Sequence, residues 1–497
     1  MVVELHATAA SDGISRSYVR RTPEHGVLHG VVREHLRIFL WELDRHDEQR
    51  GAPLFVKREF ERFVHCGVLA HGFARFRCTG CATDRLVAFS CKGRGFCPNC
   101  GGRRMTERAA HLIDRVLPRA PVRQWVLSLP FELRYRLAWG HHLCRAVLAV
   151  YTRALIGFYR KRAKASGHRD GRTGTVTVIQ RFGGALNLNV HFHTLAVDGV
   201  FVREPSGSLR FESAKAPTEE EVEALLGVIR RRVLRLLVRR GLLCEEVGDC
   251  LDESATPPLH AFYAASVRQR VAMGRRAGAT VFRLGDAPTV TAARPKRRRQ
   301  ARLGGFDLHA NTSVSAKNRP KLERLCRYLL RSPVAKDRLS FAPDGTVLVR
   351  LKTPWRDGTS HIALQPLELL EKLAALIPRP YVNLIVYHGV LAPNAKWRGE
   401  VVAFERTRVE SQPSASSTTK VAGSYNRTWA ELMRRGLDID VLQCPDCGGR
   451  LRFVAAVTSV AAWSRALRSS SPISWPDSSS WCRASRASWS CCRGINR

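Results

Sequence analysis

The chain has 497 residues, 44% hydrophobic and 25% charged, enough apolar material for roughly three packed domains of ~150 residues and incompatible with wholesale disorder. No run approaches the ~18 consecutive apolar residues of a membrane span, and Met1 to Ser11 lacks the basic-then-apolar pattern of a secretory signal. Lys+Arg 81 against Asp+Glu 43 leaves +38, which points to a polyanionic partner, most simply nucleic acid, ahead of a membrane surface.

Residues 1–65 read as an N-terminal helical region, with Val31, Val32, Leu36, Phe39, Leu40 and Leu43 at helical spacing between His29 and Asp47. Residues 66–104 are rich in Cys and Gly with little periodicity, as expected where a metal replaces a core. Residues 105–340 form the expected central domain. It opens on a helix over 105–118 and a strand, Gln124 to Pro130, stopped by proline. A helix spans Trp139 to Ala163. Thr175 to Arg181 is strand-like, Gly183-Gly184 supplies a turn, and Leu188 to Phe201 is a second long strand. This βαββ order argues for an α+β fold, an antiparallel sheet with helices on one face.

A basic helix follows over 217–243, either a solvated face or a DNA-backbone contact. The run Arg294 to Arg299 reads as a charged linker or arm. Lys321 to Arg331 is a helix ended near Pro333. Residues 341–457 form a C-terminal mixed region containing a polar linker, Ser411 to Thr419. Residues 458–497 are Ser- and Trp-rich with no sustained apolar period, and are expected to be irregular, the product of an out-of-frame read or a degenerate terminus.

Six of the fifteen cysteines fall between Cys66 and Cys100. Without a secretory signal, clustered CxxC pairs indicate metal rather than disulfides. Cys78-x2-Cys81 and Cys97-x2-Cys100 are two hooks suited to one tetrahedral Zn²⁺. Cys66, His71 and Cys91 are candidates for part of a second zinc site, or else free thiols and a surface histidine. Cys444-x2-Cys447 is a hook without an evident partner pair. Arg75, Arg77, Lys92, Arg94, Arg103 and Arg104 around the zinc segment are expected to grip DNA phosphates.

His191-Phe192-His193 carries the second chemistry. Residues two apart on a strand share a face, so both imidazoles can hold one divalent ion. Gln180 on the preceding strand is the candidate third ligand. Tyr328 is the third feature. Arg324, Arg327 and Arg331 surround it at helical spacings, an environment for a phosphate and for a phenol recruited as nucleophile. Asp198 stands near the His pair, but an Asp before Gly is more often a turn residue than part of a catalytic carboxylate trio.

From Phe55 to Phe453 the chain resembles the HUH-type rolling-circle transposases of the insertion-sequence-ninety-one group and its common-region relatives. The stretches that carry the likeness are Phe55 to Phe60, Cys78 to Cys100, Val178 to His193, Arg327 to Arg331, Tyr387 to Asn394 and Cys444 to Gly449. The resemblance implies an endonuclease in which His191 and His193 hold Mg²⁺ or Mn²⁺ and Tyr328 is the nucleophile. Arg331 stands where related nickases often carry Lys. Arg324 stands where two-tyrosine members carry a further Tyr, which implies the single-tyrosine subgroup. Phe96 stands where the family often has His. The implied substrate is single-stranded or hairpin DNA at element ends, joined to the enzyme as a 5′-phosphotyrosine, in a bacterial, nucleoid-associated cytoplasmic setting; oligomerisation is left open. The competing class is a non-catalytic zinc-containing DNA-binding protein, which needs neither the His pair nor Tyr328.

Overall fold

The computed structural model describes residues 21–45, 51–242, 258–285, 298–405, 428–437 and 439–458. It divides into two compact units, each discontinuous in sequence: residues 1–66 with 90–439, and residues 67–89 with 440–497. The contiguous segments expected from sequence are crossed. Residues 66–104 are shared between the units, while 105–340 and residues 341–439 build one unit together. Most of the Arg294 to Arg299 run, the Ser411 to Thr419 linker and all but the first residue of the 458–497 tail lie outside the described residues.

The first unit opens on α1 (Val27–Arg45) and α2 (Leu54–Val64). Leu28, Val31, Val32, Leu36, Phe39 and Leu43 of α1 form one buried stripe, and Phe39 meets Phe60 of α2 at 5.6 Å. Strands β1 (Phe73–Cys78) and β2 (Asp84–Ala88) belong to the second unit. The chain returns to the first through α3 (Pro98–Arg115), β3 (Val122–Ser128), α4 (Phe131–Trp139), α5 (His141–Ala165), β4 (Gly174–Phe182) and β5 (Leu188–Val197). A hairpin of β6 (Gly199–Arg203) and β7 (Leu209–Ser213), then α6 (Glu219–Arg239) and α7 (Pro258–Arg268), follow. The remaining elements of this unit are β8 (Phe282–Gly285), β9 (Gln300–Leu303), β10 (Phe306–Val314), α8 (Arg319–Leu329), β11 (Leu339–Phe341), β12 (Val347–Arg350), β13 (Thr359–Leu364), α9 (Pro366–Leu376), β14 (Ile385–Gly389), α10 (Arg398–Ala403) and α11 (Trp429–Leu437).

The central sheet has six strands in the order β14-β4-β5-β3-β10-β9, every neighbouring pair antiparallel. β8 and β11 to β13 form a separate four-stranded sheet. On one face of the central sheet, Trp125, Leu127, Ile179 and Phe192 join Val147, Leu148, Tyr151 and Leu155 of α5 in the main core. On the other face, Val122, Val176, Leu195 and Val197 pack against Leu112 and Ile113 of α3 and Leu322, Cys326 and Leu329 of α8. Helices therefore cover both faces, not the one expected. The reason is visible in burial: β4 and β5 are buried at nearly every position, so neither face can be left to water.

The long strand expected over Leu188 to Phe201 is two, broken at Asp198. That carboxylate is buried and takes bonds from Arg123 Nε at 3.0 Å and Nη2 at 2.7 Å, and from the Tyr159 hydroxyl at 2.9 Å. Asp198 is thus neither a plain turn residue nor part of an acidic trio.

The second unit is small. β15 (Leu451–Val457) pairs antiparallel with β1, and β1 with β2, giving the order β15-β1-β2. Its buried cluster is Leu69, Phe73 and Val457. Among the described residues no helix is long and apolar enough to cross a membrane.

Candidate active site and metal centres

The face of the central sheet that carries α3 and α8 is apolar at one end and polar at the other. The β4–β5 register sets Gln180 directly opposite His191, and opposite residues on antiparallel strands share a face. Phe192, between the two histidines, points the other way and stacks on Tyr151 at 6.1 Å. His191 Nε2 and His193 Nε2 are 3.1 Å apart. His191 Nδ1 lies 2.8 Å from the Asn189 carbonyl, which can only accept, so Nδ1 carries the proton and Nε2 presents its lone pair. His193 Nδ1 lies 2.9 Å from the Gln124 side-chain amide. Burial pulls both imidazoles down, His191 to about 4 and His193 to about 2, so both are neutral at physiological pH, the form that binds a metal.

Gln180 donates its Nε2 to the Leu329 carbonyl at 3.1 Å, while its Oε1 is buried without a partner. An orphaned acceptor beside two convergent imidazole nitrogens is a donor set that fits one divalent cation, and mixed N and O ligands suit Mn²⁺ better than the all-oxygen preference of Mg²⁺.

The same Gln180 bond ties the site to α8, since Leu329 follows Tyr328. The helix starts at a cap in which the Asn318 side chain accepts from the Lys321 N–H at 3.0 Å, and it ends beneath the histidines. The Tyr328 ring stands edge-on to His193, with centroids 6.3 Å apart, and is 42% exposed, open to a substrate. The Arg331 guanidinium sits 4.2 Å from the Tyr328 ring centre, and Lys352 Nζ sits 5.2 Å from it. Two cations thus flank the phenol.

A cleft of about 750 Å³ runs from Gln180, Leu329 and Arg331 past the C-terminal end of β4 and the start of β14 to Arg94 and Arg104. Its walls also carry Arg108, Arg145 and Arg181. Arg94, Arg104 and Arg181 donate to backbone carbonyls, which orders them without cancelling their charge. No carboxylate lines the cleft among the described residues.

Among the described residues, eight cysteines form two four-member clusters, Cys66-Cys91-Cys97-Cys100 and Cys78-Cys81-Cys444-Cys447, with all sulfurs of each within 4.8 Å of one another. Four thiolates at ~2.3 Å from one zinc lie roughly 3.8 Å apart. Cys66 Sγ is 3.7 Å from Cys97 Sγ and 3.8 Å from Cys100 Sγ. Such spacing is far beyond the ~2.05 Å of a disulfide. The Cys97 hook opens α3, whose amide dipoles favour thiolate.

Residues 174–398 match the family described as putative transposase, and residues 39–129 match the transposase zinc-binding domain family. The chain is 23% identical over 403 residues to the transposase for insertion sequence element IS801 of Pseudomonas savastanoi pv. phaseolicola, covering 80% of this chain and 83% of that one. No solved structure matches. The two family matches and this relative together support an insertion-sequence-ninety-one-family transposase.

In this transposase the expected grouping of cysteines is corrected. Cys78 and Cys81 do not share a cluster with Cys97 and Cys100. Cys66 and Cys91 join the Cys97 hook instead, and His71 is in neither cluster. The zinc-binding domain match, 39–129, contains the Cys66 cluster whole. Phe96 takes no part because it turns into an aromatic group, 4.8 Å from Phe60 and 5.0 Å from Phe63. Of the expected phosphate contacts, Arg94 and Arg104 line the cleft. Arg103 lies over Trp429 at 5.5 Å, and Arg324 is exposed on α8. Arg327 pairs with Glu323 at 2.7 Å, so a neighbour already offsets its charge. Gln124, Lys352, Arg108 and Arg145 were not singled out from sequence. Gln124 enters the sequence reading only as the first residue of the strand expected over Gln124 to Pro130.

Proposed function

We propose that this transposase cuts and rejoins single-stranded or hairpin DNA at element ends by a metal-assisted tyrosine transesterification of the HUH type, in rolling-circle transposition. The observation that supports it is the convergence of His191, His193 and the free Gln180 oxygen beside the exposed Tyr328. The order β3, α4, α5, β4, β5 around these residues supports this reading. His191, His193 and Gln180 would hold Mn²⁺ or Mg²⁺. A cation bound there withdraws charge from a scissile phosphate.

The protein's own groups do the rest. The cleft arginines bind the strand through its phosphates, which positions without reading sequence. Tyr328 Oη attacks phosphorus as its proton leaves, and the phosphorus–oxygen bond to the 3′ side breaks. The products are a 5′-phosphotyrosine and a free 3′-hydroxyl. Arg331 and Lys352 offset the charge that develops on the phenol oxygen and the phosphate. A 3′-hydroxyl can reverse the step, so the ester conserves the energy of the broken bond and joining needs no nucleotide. The chain carries no Gly-x4-Gly-Lys-Ser/Thr loop. We assign the Cys66 cluster to a structural zinc.

The test is incubation of a labelled single-stranded terminal oligonucleotide with the full chain and Mn²⁺. A covalent protein–DNA band is expected with the native chain and lost with Tyr328→Phe. An undiminished band in that variant removes Tyr328 from the mechanism. No band with the native chain, together with DNA binding unaffected by His191→Ala and His193→Ala, favours the non-catalytic DNA-binding reading.

A further inference from the structure

The zinc-binding domain match ends at residue 129 and leaves Cys444 and Cys447 unassigned. We infer that Cys78, Cys81, Cys444 and Cys447 bind a second structural zinc, one that closes the chain on itself between its two ends.

The ligand geometry is that of a closed tetrathiolate site. Cys78 Sγ is 3.5 Å from Cys447 Sγ, and Cys81 Sγ is 3.7 Å from Cys444 Sγ, close to the roughly 3.8 Å of a tetrahedral S₄ shell. Each hook is a tight turn that aims backbone N–H groups at sulfur: Gly80 N–H donates to Cys78 Sγ and Gly449 N–H to Cys447 Sγ, both at 3.4 Å. Such bonds favour thiolate over thiol. A Cβ at Gly449 would lie 3.1 Å from Cys78 Sγ and 3.2 Å from Cys447 Sγ. Glycine there leaves room for the sulfurs to converge. The two hooks are locked in register by strands, since Cys78 pairs with Leu451 across β1 and β15, and Thr79 N–H donates to the Arg450 carbonyl at 2.9 Å.

A second, independent observation is the size of the core. Among the described residues, the unit that holds this cluster buries an apolar cluster of Leu69, Phe73 and Val457, with Leu86 and Ala88 packed against it. Three buried apolar side chains among the described residues do not by themselves offset the ordering of three strands and two turns. Small units of this kind are stabilised by a metal, whose binding free energy becomes folding free energy. Cys81 and Cys444 are 363 positions apart, and residues 90–439 of the other unit lie between the two halves in sequence. The ion therefore makes the C-terminal hook an obligatory part of a module that begins near residue 67. The inference stands apart from the DNA-cutting reading, because it concerns a metal count and not the reaction.

The experiment is zinc analysis of the purified full chain, with the metal released stepwise by a mercurial reagent. Two zinc ions per chain are expected. Cys444→Ser/Cys447→Ser should hold one, and Cys447→His, which keeps four ligands, should hold two. One zinc in the native chain, or two in the double serine variant, overturns the inference. Should the serine variant fail to fold, cobalt substitution of the native chain decides. Sulfur-to-cobalt charge-transfer absorption rising equally through a first and a second equivalent supports two tetrathiolate sites, and saturation at one equivalent refutes them.

Discussion

His191 and His193 can turn both Nε2 lone pairs to one ion only if each Nδ1 carries its proton. The Asn189 carbonyl settles this for His191. For His193 the decision belongs to Gln124, whose amide can present either its oxygen or its nitrogen to Nδ1 from the same position. With nitrogen toward the ring, His193 Nε2 keeps a proton and bridges to His191 across 3.1 Å. With oxygen toward the ring, Nε2 is free. Gln124→Leu is therefore expected to weaken Mn²⁺ binding by about 10–100-fold, read by titration calorimetry, while the zinc content holds. Unchanged Mn²⁺ affinity would show that the imidazole is oriented without Gln124. The His-x-His pair was legible in sequence because strand periodicity alone puts both rings on one face. Gln124 was not, because its place beside His193 depends on how β3 and β5 are paired.

Elements meet the site at fixed angles because buried polar groups hold their ends. Asp198 joins β3 through Arg123 and α5 through Tyr159, and Tyr159 in turn accepts from Trp125 Nε1 at 3.1 Å. Breaking a buried ion pair by removing one partner leaves the other charge uncompensated. Asp198→Ala is expected to lower stability by about 3–5 kcal/mol, measured by urea unfolding with an unchanged denaturant slope. A loss below ~1 kcal/mol, the range of an exposed pair, would mean that Arg123 finds water or another partner. At this scale the sequence located α1, α6, α8 and the β4–β5 hairpin, because each carries a strong apolar period or a turn signal. It did not separate β6 from β5, although Asp198-Gly199 carries a local turn signal, and the ion pair that buries Asp198 with Arg123 is tertiary. It read α3 and α8 as helices but not their place on the second sheet face, for they are ordinary amphipathic helices whose destination depends on the rest of the fold.

Across the whole molecule the excess of basic residues becomes useful where the fold gathers it. Arg108 and Arg145 lie about 37 positions apart yet line one cleft that ends at Gln180 and Arg331. Binding of a single strand should weaken with salt, with a slope near −0.7 per phosphate neutralised in a plot of log affinity against log salt. Arg145→Ala should flatten that slope by roughly 0.7 while leaving both zinc sites filled, read by fluorescence anisotropy at several salt concentrations. An identical slope would place the strand elsewhere, with the six-arginine groove of α5 and α6, Arg153 and Arg230 among its lining, as the next surface to examine.

Composition, charge and local periodicity determined that this chain packs a core, seeks a polyanion, uses cysteine for metal and carries two histidines on one strand face. Those properties depend on residue chemistry and on repeats of two or about four positions, which a linear string preserves. The tertiary structure alone decided which thiolates share an ion, which glutamine faces the histidines, and that a tyrosine more than a hundred residues downstream stands beside them. Such contacts are set by strand register and by the packing of helices on a sheet, and neither is a function of spacing along the chain. The cysteine hooks show the difference most plainly. Their spacing suggested that Cys78 and Cys97 belonged together, whereas antiparallel pairing of β1 with β15 carries Cys78 to Cys447 and leaves Cys97 to Cys66.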